Sequence, residues 1–190
     1  MCIRDRYIMK IISAVFILLL FAGCGSSSNM KEVSRKPNLN PGKNAMLVII
    51  RARPFPIMGP VNNYLDSKFI GETRTKTYFS TIVKPGLHYV IAEGEDISAV
   101  RMNFKAGRIY YLYQDISSGA WDKNRALSVL TRAEAQKSMS ECDYIQYNKK
   151  NPGASLSAAK YKQSIKEYNE KAKKNPEDYR PFFKYQGYKP

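Results

Sequence analysis

Hydrophobic residues follow three different spacings along this chain, and each predicts a different kind of element. The first is an unbroken apolar run, Ile11 to Cys24 (IISAVFILLLFAGC), which turns abruptly polar at Gly25. Fourteen residues are too few to cross a bilayer as a helix, which takes about 20, but they suit the apolar core of a secretory signal with Lys10 as its positive flank. Residues 9–23 are therefore read as a signal helix that is removed. Residues 24–44 (from Gly25, GSSSNMKEVSRKPNLNPGKN) carry Ser, Asn, Pro and Gly without apolar periodicity, the composition of a flexible tether, spanning about 25 Å as a coil.

From Ala45 the spacing becomes that of short strands between turns. Met46 to Ala52 is rich in Val and Ile and stops at Pro54-Phe55-Pro56, because proline has no amide to give a sheet. Val61 to Asp66 and Lys68 to Glu72 read as a hairpin turned near Ser67. Thr77 to Val83 and Leu87 to Glu93 flank Lys84-Pro85-Gly86, the clearest hairpin signal present, since Pro presets one turn φ and Gly accepts a positive one. Val100, Met102 and Phe104 share one face of the next run, Lys105-Ala106-Gly107 turns the chain into Arg108 to Ile116, and Leu127 to Leu130 makes a last strand. The fold class expected is mainly β: an antiparallel β-sandwich of about seven strands over residues 45–146, with a short helix.

The third spacing is helical. Thr131-Arg132-Ala133-Glu134 reads as a capping box opening a helix of about ten residues to Glu141. After the break at Asn151-Pro152-Gly153, the residues Ala158, Tyr161, Ile165, Tyr168 and Ala172 recur at steps of three and four. They form a narrow apolar stripe on a helix from about Leu156 to Lys174, supported by Glu167 with Lys171 and Glu170 with Lys174. The stripe needs a cover: its own sandwich first, or else a partner helix or a second copy. Beyond it, Phe182, Phe183, Tyr185 and Tyr188 interleave with Arg180, Lys184 and Lys189. Such a mix can strap across a groove, sit at a membrane interface or stack on sugars. Phe182, Phe183, Tyr185, Tyr188 and Lys184 are thus candidate partner-binding residues in a basic helical extension, 151–190.

The end of the apolar run adds chemistry to the pattern. Leu20-Phe21-Ala22-Gly23-Cys24 resembles the lipobox of bacterial lipoproteins, whose signal peptidase recognises the four residues before the cysteine and whose cysteine is acylated. The resemblance implies a diacylglycerol and an amide-linked acyl chain on Cys24, and two or more chains hold a protein stably where one does not. An ordinary signal or a short uncleaved anchor is the plainer alternative. Gly25, where an aspartate resembles an inner-membrane retention signal, favours the outer membrane facing the periplasm. Met1 to Arg6 (MCIRDR) resembles a translated sequencing adaptor, so residues 1–8 are set aside as an artefact and Met9 is the expected start. Cys2 then drops out, and Cys142 is left as the one free thiol expected.

Charge matters through its distribution. The chain carries +15, and the part from Cys24 onward +13. The middle, 45–146, is nearly neutral with thirteen basic and ten acidic residues, whereas 25–44 has four to one and 147–190 eleven to four. A basic flank beside a lipid anchor is drawn to anionic lipid, lipopolysaccharide phosphates or acidic wall polymer, and salt weakens that attraction. Nucleic acid, the default partner at this pI in a cytosolic chain, is not expected of an exported one.

Candidate catalytic groups are few. His88 is the only histidine, so no multi-histidine metal site can form and any Ser-His or Cys-His arrangement must include it; its place after a Pro-Gly turn suggests a structural role. Cys142 closes a helix without a second thiol to resolve it. Glu93-Gly94-Glu95-Asp96 could bind calcium weakly but reads as a solvated hairpin tip, and Trp121 as a loop anchor. No catalytic residue, metal or cofactor is expected apart from the covalent lipid.

Three motifs carry a second resemblance: Tyr64-Leu65-Asp66-Ser67-Lys68-Phe69-Ile70-Gly71-Glu72, Val83-Lys84-Pro85-Gly86-Leu87-His88, and Phe104-Lys105-Ala106-Gly107-Arg108-Ile109-Tyr110-Tyr111. Together they resemble a family of small bacterial lipoproteins with a domain of unassigned function, similar to PEGA and transthyretin-like sandwiches. The resemblance covers about residues 45–146 and implies a fold and an envelope location. The expectation is a non-catalytic envelope lipoprotein that binds or scaffolds, with an envelope protein among its partners. The rival is a periplasmic enzyme or enzyme inhibitor acting through the sandwich loops.

Overall fold

A computed structural model describes residues 29–53, 59–94, 96–115, 127–148 and 150–190. Six strands form a larger sheet: β1 (Met30–Glu32), β2 (Ala45–Arg51), β5 (Thr77–Val83), β8 (Ile109–Gln114), β9 (Leu127–Val129) and β10 (Asp143–Tyr147), in the order β1-β10-β5-β2-β8-β9. The smaller sheet holds β3 (Val61–Leu65), β4 (Lys68–Thr73), β6 (Gly86–Glu93) and β7 (Ile97–Phe104), in the order β4-β3-β6-β7. The two face each other as a β-sandwich.

The run AMLVIIR in β2 shows why the larger sheet has two covered faces. All seven residues are buried. Ala45, Leu47 and Ile49 face the sandwich core with Phe79, Tyr110, Val90, Met102 and Phe104, while Met46, Val48 and Ile50 face away toward Tyr78, Tyr111 and Tyr144. A strand buried on both sides reads as continuous apolar sequence, and each such side chain contributes roughly 1.5–3 kcal/mol. Helix α1 (Arg132–Ser140) covers the outer face with Ala135 and Met139. Its capping box forms as expected, Thr131 Oγ1 accepting from the Glu134 amide at 3.3 Å and Glu134 Oε2 accepting from the Thr131 amide at 2.8 Å.

Helix α2 (Ala158–Lys174) covers the outer face of the smaller sheet. Ser157 caps it, and Tyr161, Ile165 and Tyr168 pack on Tyr64, Phe69, Ile91 and Ala99. The apolar stripe is therefore spent on its own sandwich, with only Ala158 at its start left exposed. Helix α3 (Pro176–Lys184), not foreseen, follows at once. Its signals are Pro176 in the first turn with Glu177 and Asp178 behind it, where a helix dipole favours acid. Tyr179 and Phe182 of α3 enter the main core.

Three expectations change. First, the Lys84-Pro85-Gly86 and Lys105-Ala106-Gly107 turns are not hairpins but corners: β5 and β8 belong to the larger sheet, β6 and β7 to the smaller. Tyr110 buttresses the second corner, its hydroxyl accepting from the Lys105 amide at 2.8 Å and donating to the Asn103 carbonyl at 3.3 Å. The hairpins that do form within the smaller sheet are β3/β4 and β6/β7. Second, the larger sheet is mixed, since β2 pairs parallel with β8 and β10 parallel with β5. Third, much of the expected tether is folded. Met30 to Glu32 pairs with β10, and Val33 and Leu39 pack under the sheet, anchored by isolated apolar residues too irregular to register as periodicity.

Candidate functional site

The strands of the larger sheet part company at one place. β10 pairs with β5 only at Asp143–Thr77 and Tyr144–Tyr78, then turns its pairing to β1 from Ile145 to Tyr147. Beyond Tyr78, β5 has β2 on one side and, among the described residues, no strand on the other. Along this stretch Phe79 is buried, Ser80 and Thr81 are half-buried, Ile82 is 50% exposed, and Val83 is buried again at the corner.

Across the gap lies β4, the edge strand of the smaller sheet. Between them is a cavity of about 590 Å³ lined by Phe79 to Ile82, by Lys68 to Ile70, and by Leu65, Lys84, His88 and Tyr147. Side chains alternate across a strand, so four successive residues can line one cavity only along the strand's edge. The wall on the β5 side is therefore partly main chain. A second cavity of about 420 Å³, lined by Arg35, Lys36, Ser80, Tyr144 and Gln146 among others, opens over the outer face of the same gap. Lys68 and Lys84 stand at the first opening, Arg35 and Lys36 at the second, and no described carboxylate lines either.

His88 holds one end of this groove. Its Nε2 donates to the Lys84 carbonyl at 3.0 Å, and its Nδ1 lies 2.8 Å from Asp66 Oδ2. Asp66 Oδ1 in turn accepts from the Tyr89 amide at 3.0 Å, and Asp66 has φ 55 at the β3/β4 turn. The imidazole thus ties the β5/β6 corner to the β3/β4 turn, and with them the backbone carrying Lys84 and Lys68. Both ring nitrogens face acceptors, so the ring is engaged on both sides.

Cys142 is half-buried, with Sγ 4.0 Å from the Arg51 carbonyl. Burial above all, then the Glu141 and Asp143 carboxylates, push its thiol up to about 11. Such a thiol is a poor nucleophile. Glu93 does not stand free at the β6/β7 tip: Lys160 and the Tyr64 hydroxyl, the latter at 2.7 Å, both bind its carboxylate. Burial pushes that carboxyl up, and the two donors more than offset it, leaving it below its ordinary value. Among the described residues no group of three or more His, Cys, Asp or Glu side chains is placed to hold a metal.

The sequence-selected residues divide sharply. Cys24 with Leu20, Phe21, Ala22 and Gly23, and also Trp121 and Glu95, lies outside the described residues. Of the tail residues, Phe182 is core, and Tyr185 and Tyr188 are half-buried in a strap. The Tyr185 hydroxyl accepts from the Tyr111 amide at 3.2 Å and donates to the Leu130 carbonyl at 2.8 Å. Tyr188 pairs main chain to main chain with Ile109, entering through Gly187, whose φ of 61 and approach to the Ile109 carbonyl leave no room for a Cβ. Phe183, 53% exposed, and exposed Lys184 present open surface. The groove itself was missed. Its only sequence trace is the polar pair Ser80-Thr81 between Phe79 and Ile82, because a bare edge is a property of pairing and not of composition.

Comparison with protein-family models, with curated proteins and with solved structures found no match to this chain.

Proposed function

We propose that this chain is a lipid-anchored bacterial envelope protein whose sandwich is a non-catalytic binding module. Acyl chains on Cys24 hold it at the membrane, with the outer membrane's periplasmic face favoured by Gly25, and the groove between β4 and β5 receives the ligand. The observation that carries the binding reading is the groove: an apolar floor under a rim of Lys68 and Lys84, of a volume that suits a specific ligand. The chemistry of the single imidazole and the described thiol supports it. His88 is tied up by Asp66 and the Lys84 carbonyl, and Cys142 is held protonated by its surroundings. The turn motifs, which resemble those of small envelope lipoproteins, and the lipobox-like residues before Cys24 support the location.

The test is metabolic labelling with palmitate, with cell fractionation of wild-type and Cys24→Ser chains. The labelled wild-type chain should sediment with membranes, and the variant should lose label and be released. Unchanged retention of an unlabelled variant would refute the anchor.

A further inference from the structure

We propose that the groove takes up an extended, acidic segment of another envelope protein, which adds as a strand along the free edge of β5. This rests on the binding-module reading and names the ligand class. From Phe79 to Val83 the free edge runs about 17 Å at the rise of a strand, enough to pair a segment of similar length. Amide and carbonyl groups along such an edge are a template for a further strand, and folded proteins usually blunt it with charge or proline. Here Ser80, Thr81 and Ile82 carry neither, and the first charge and the first proline come at Lys84-Pro85.

The surroundings select among occupants. An added strand would turn alternate side chains toward Leu65, Ile70 and Phe79, which favours an apolar residue at every second place. The remaining side chains come within reach of the cations at the two openings, Lys68 and Lys84 on one face and Arg35 and Lys36 on the other. None of these four takes part in an ion pair within the described structure, so carboxylates on the segment complement them. A second copy using the same edge would set these cations against their own counterparts, which charge repulsion disfavours. An acyl chain would leave the main-chain groups of the β5 wall buried without partners, at a loss of affinity. A peptide satisfies them, as in other cases of strand addition.

The probe is a short fluorescein-labelled peptide alternating valine and glutamate, titrated into the purified full chain in mild detergent and followed by anisotropy and hydrogen exchange. Saturable binding should slow exchange at the amides of residues 79–83, weaken with added salt, and fall about tenfold in the Lys68→Gln, Lys84→Gln double variant. The same peptide N-methylated at alternate amides, which blocks pairing without touching the protein, should not bind. Equal binding of the N-methylated peptide or of a lysine-for-glutamate counterpart, or no slowing at 79–83, would overturn the proposal. So would failure of the peptide where decanoate or phosphatidylglycerol vesicles bind. A chain that is membrane-retained through Cys24 and ignores the peptide sinks this inference alone, whereas one that binds the peptide without being acylated sinks only the anchor.

Discussion

Cys142 illustrates how far a single environment alters one side chain. With its thiol displaced from an ordinary 9.0 to about 11, it carries about a hundredfold less thiolate at neutral pH than an exposed cysteine. Iodoacetamide should therefore modify Cys142 slowly in the folded chain and at an ordinary rate in guanidinium, as read by peptide mass spectrometry. Equal rates in the two states would contradict the burial described. A comparable residue-scale feature lies deeper. Gln114 donates to Asn63 Oδ1 at 2.7 Å and also pairs with the Thr73 hydroxyl, so three buried polar side chains satisfy one another between the sheets. Such a group at the sandwich end reads as a structural device, since leaving any member unpaired costs about 1–3 kcal/mol.

At the scale of elements, α2 is held by its tyrosines and by one ion pair at its first turn, Lys160 with Glu93. The Glu93 carboxyl is lowered in the folded state, so its contribution is fully present above the unfolded value of 4.5 and disappears as pH falls through the lower folded value. Lys160 is half-exposed, which limits the pair to the modest worth of surface bridges, about 0.2–1 kcal/mol. Lys160→Ala should lower the melting temperature by at most a few degrees at pH 7, and wild type and variant should converge once acid has protonated Glu93 in the folded chain. A difference that persists in acid would assign the effect to packing. The helix and its stripe were readable because Tyr161, Ile165 and Tyr168 repeat at the period of their element, and the capping box of α1 because its chemistry is local. The corners at Lys84-Pro85-Gly86 and Lys105-Ala106-Gly107 were not, because turn residues specify that a chain bends and say nothing of which sheet it rejoins. β1 and β10 escaped notice for a related reason: strands of three and five residues with polar ends make their case only once they find each other. The bare edge of β5, and so the groove, is a consequence of that pairing.

For the whole molecule, the C-terminal segment is part of the core. Tyr179 and Phe182 lie within the main hydrophobic cluster, Tyr185 bonds across β8 and the strand β9 side, and Tyr188 continues the sheet beside Ile109. Loss of one buried phenylalanine costs about 3–5 kcal/mol, against a total stability of about 5–15 kcal/mol for a domain of this kind. Ending the chain at Lys174 should accordingly abolish cooperative unfolding or lower its midpoint by well over ten degrees, measured by circular dichroism. A truncated chain that melts like the parent would show the segment to be dispensable.

The pairing of β1 with β10 also bears on the anchor proposed at Cys24. With Met30 already paired into the sheet, an acylated Cys24 would stand only six residues away from it, a reach that cannot exceed roughly 20 Å. On so short a leash an acylated chain would keep the start of β1 close to the headgroups. The mouth of the groove, two strands in from β1, would then lie within a short distance of the bilayer surface.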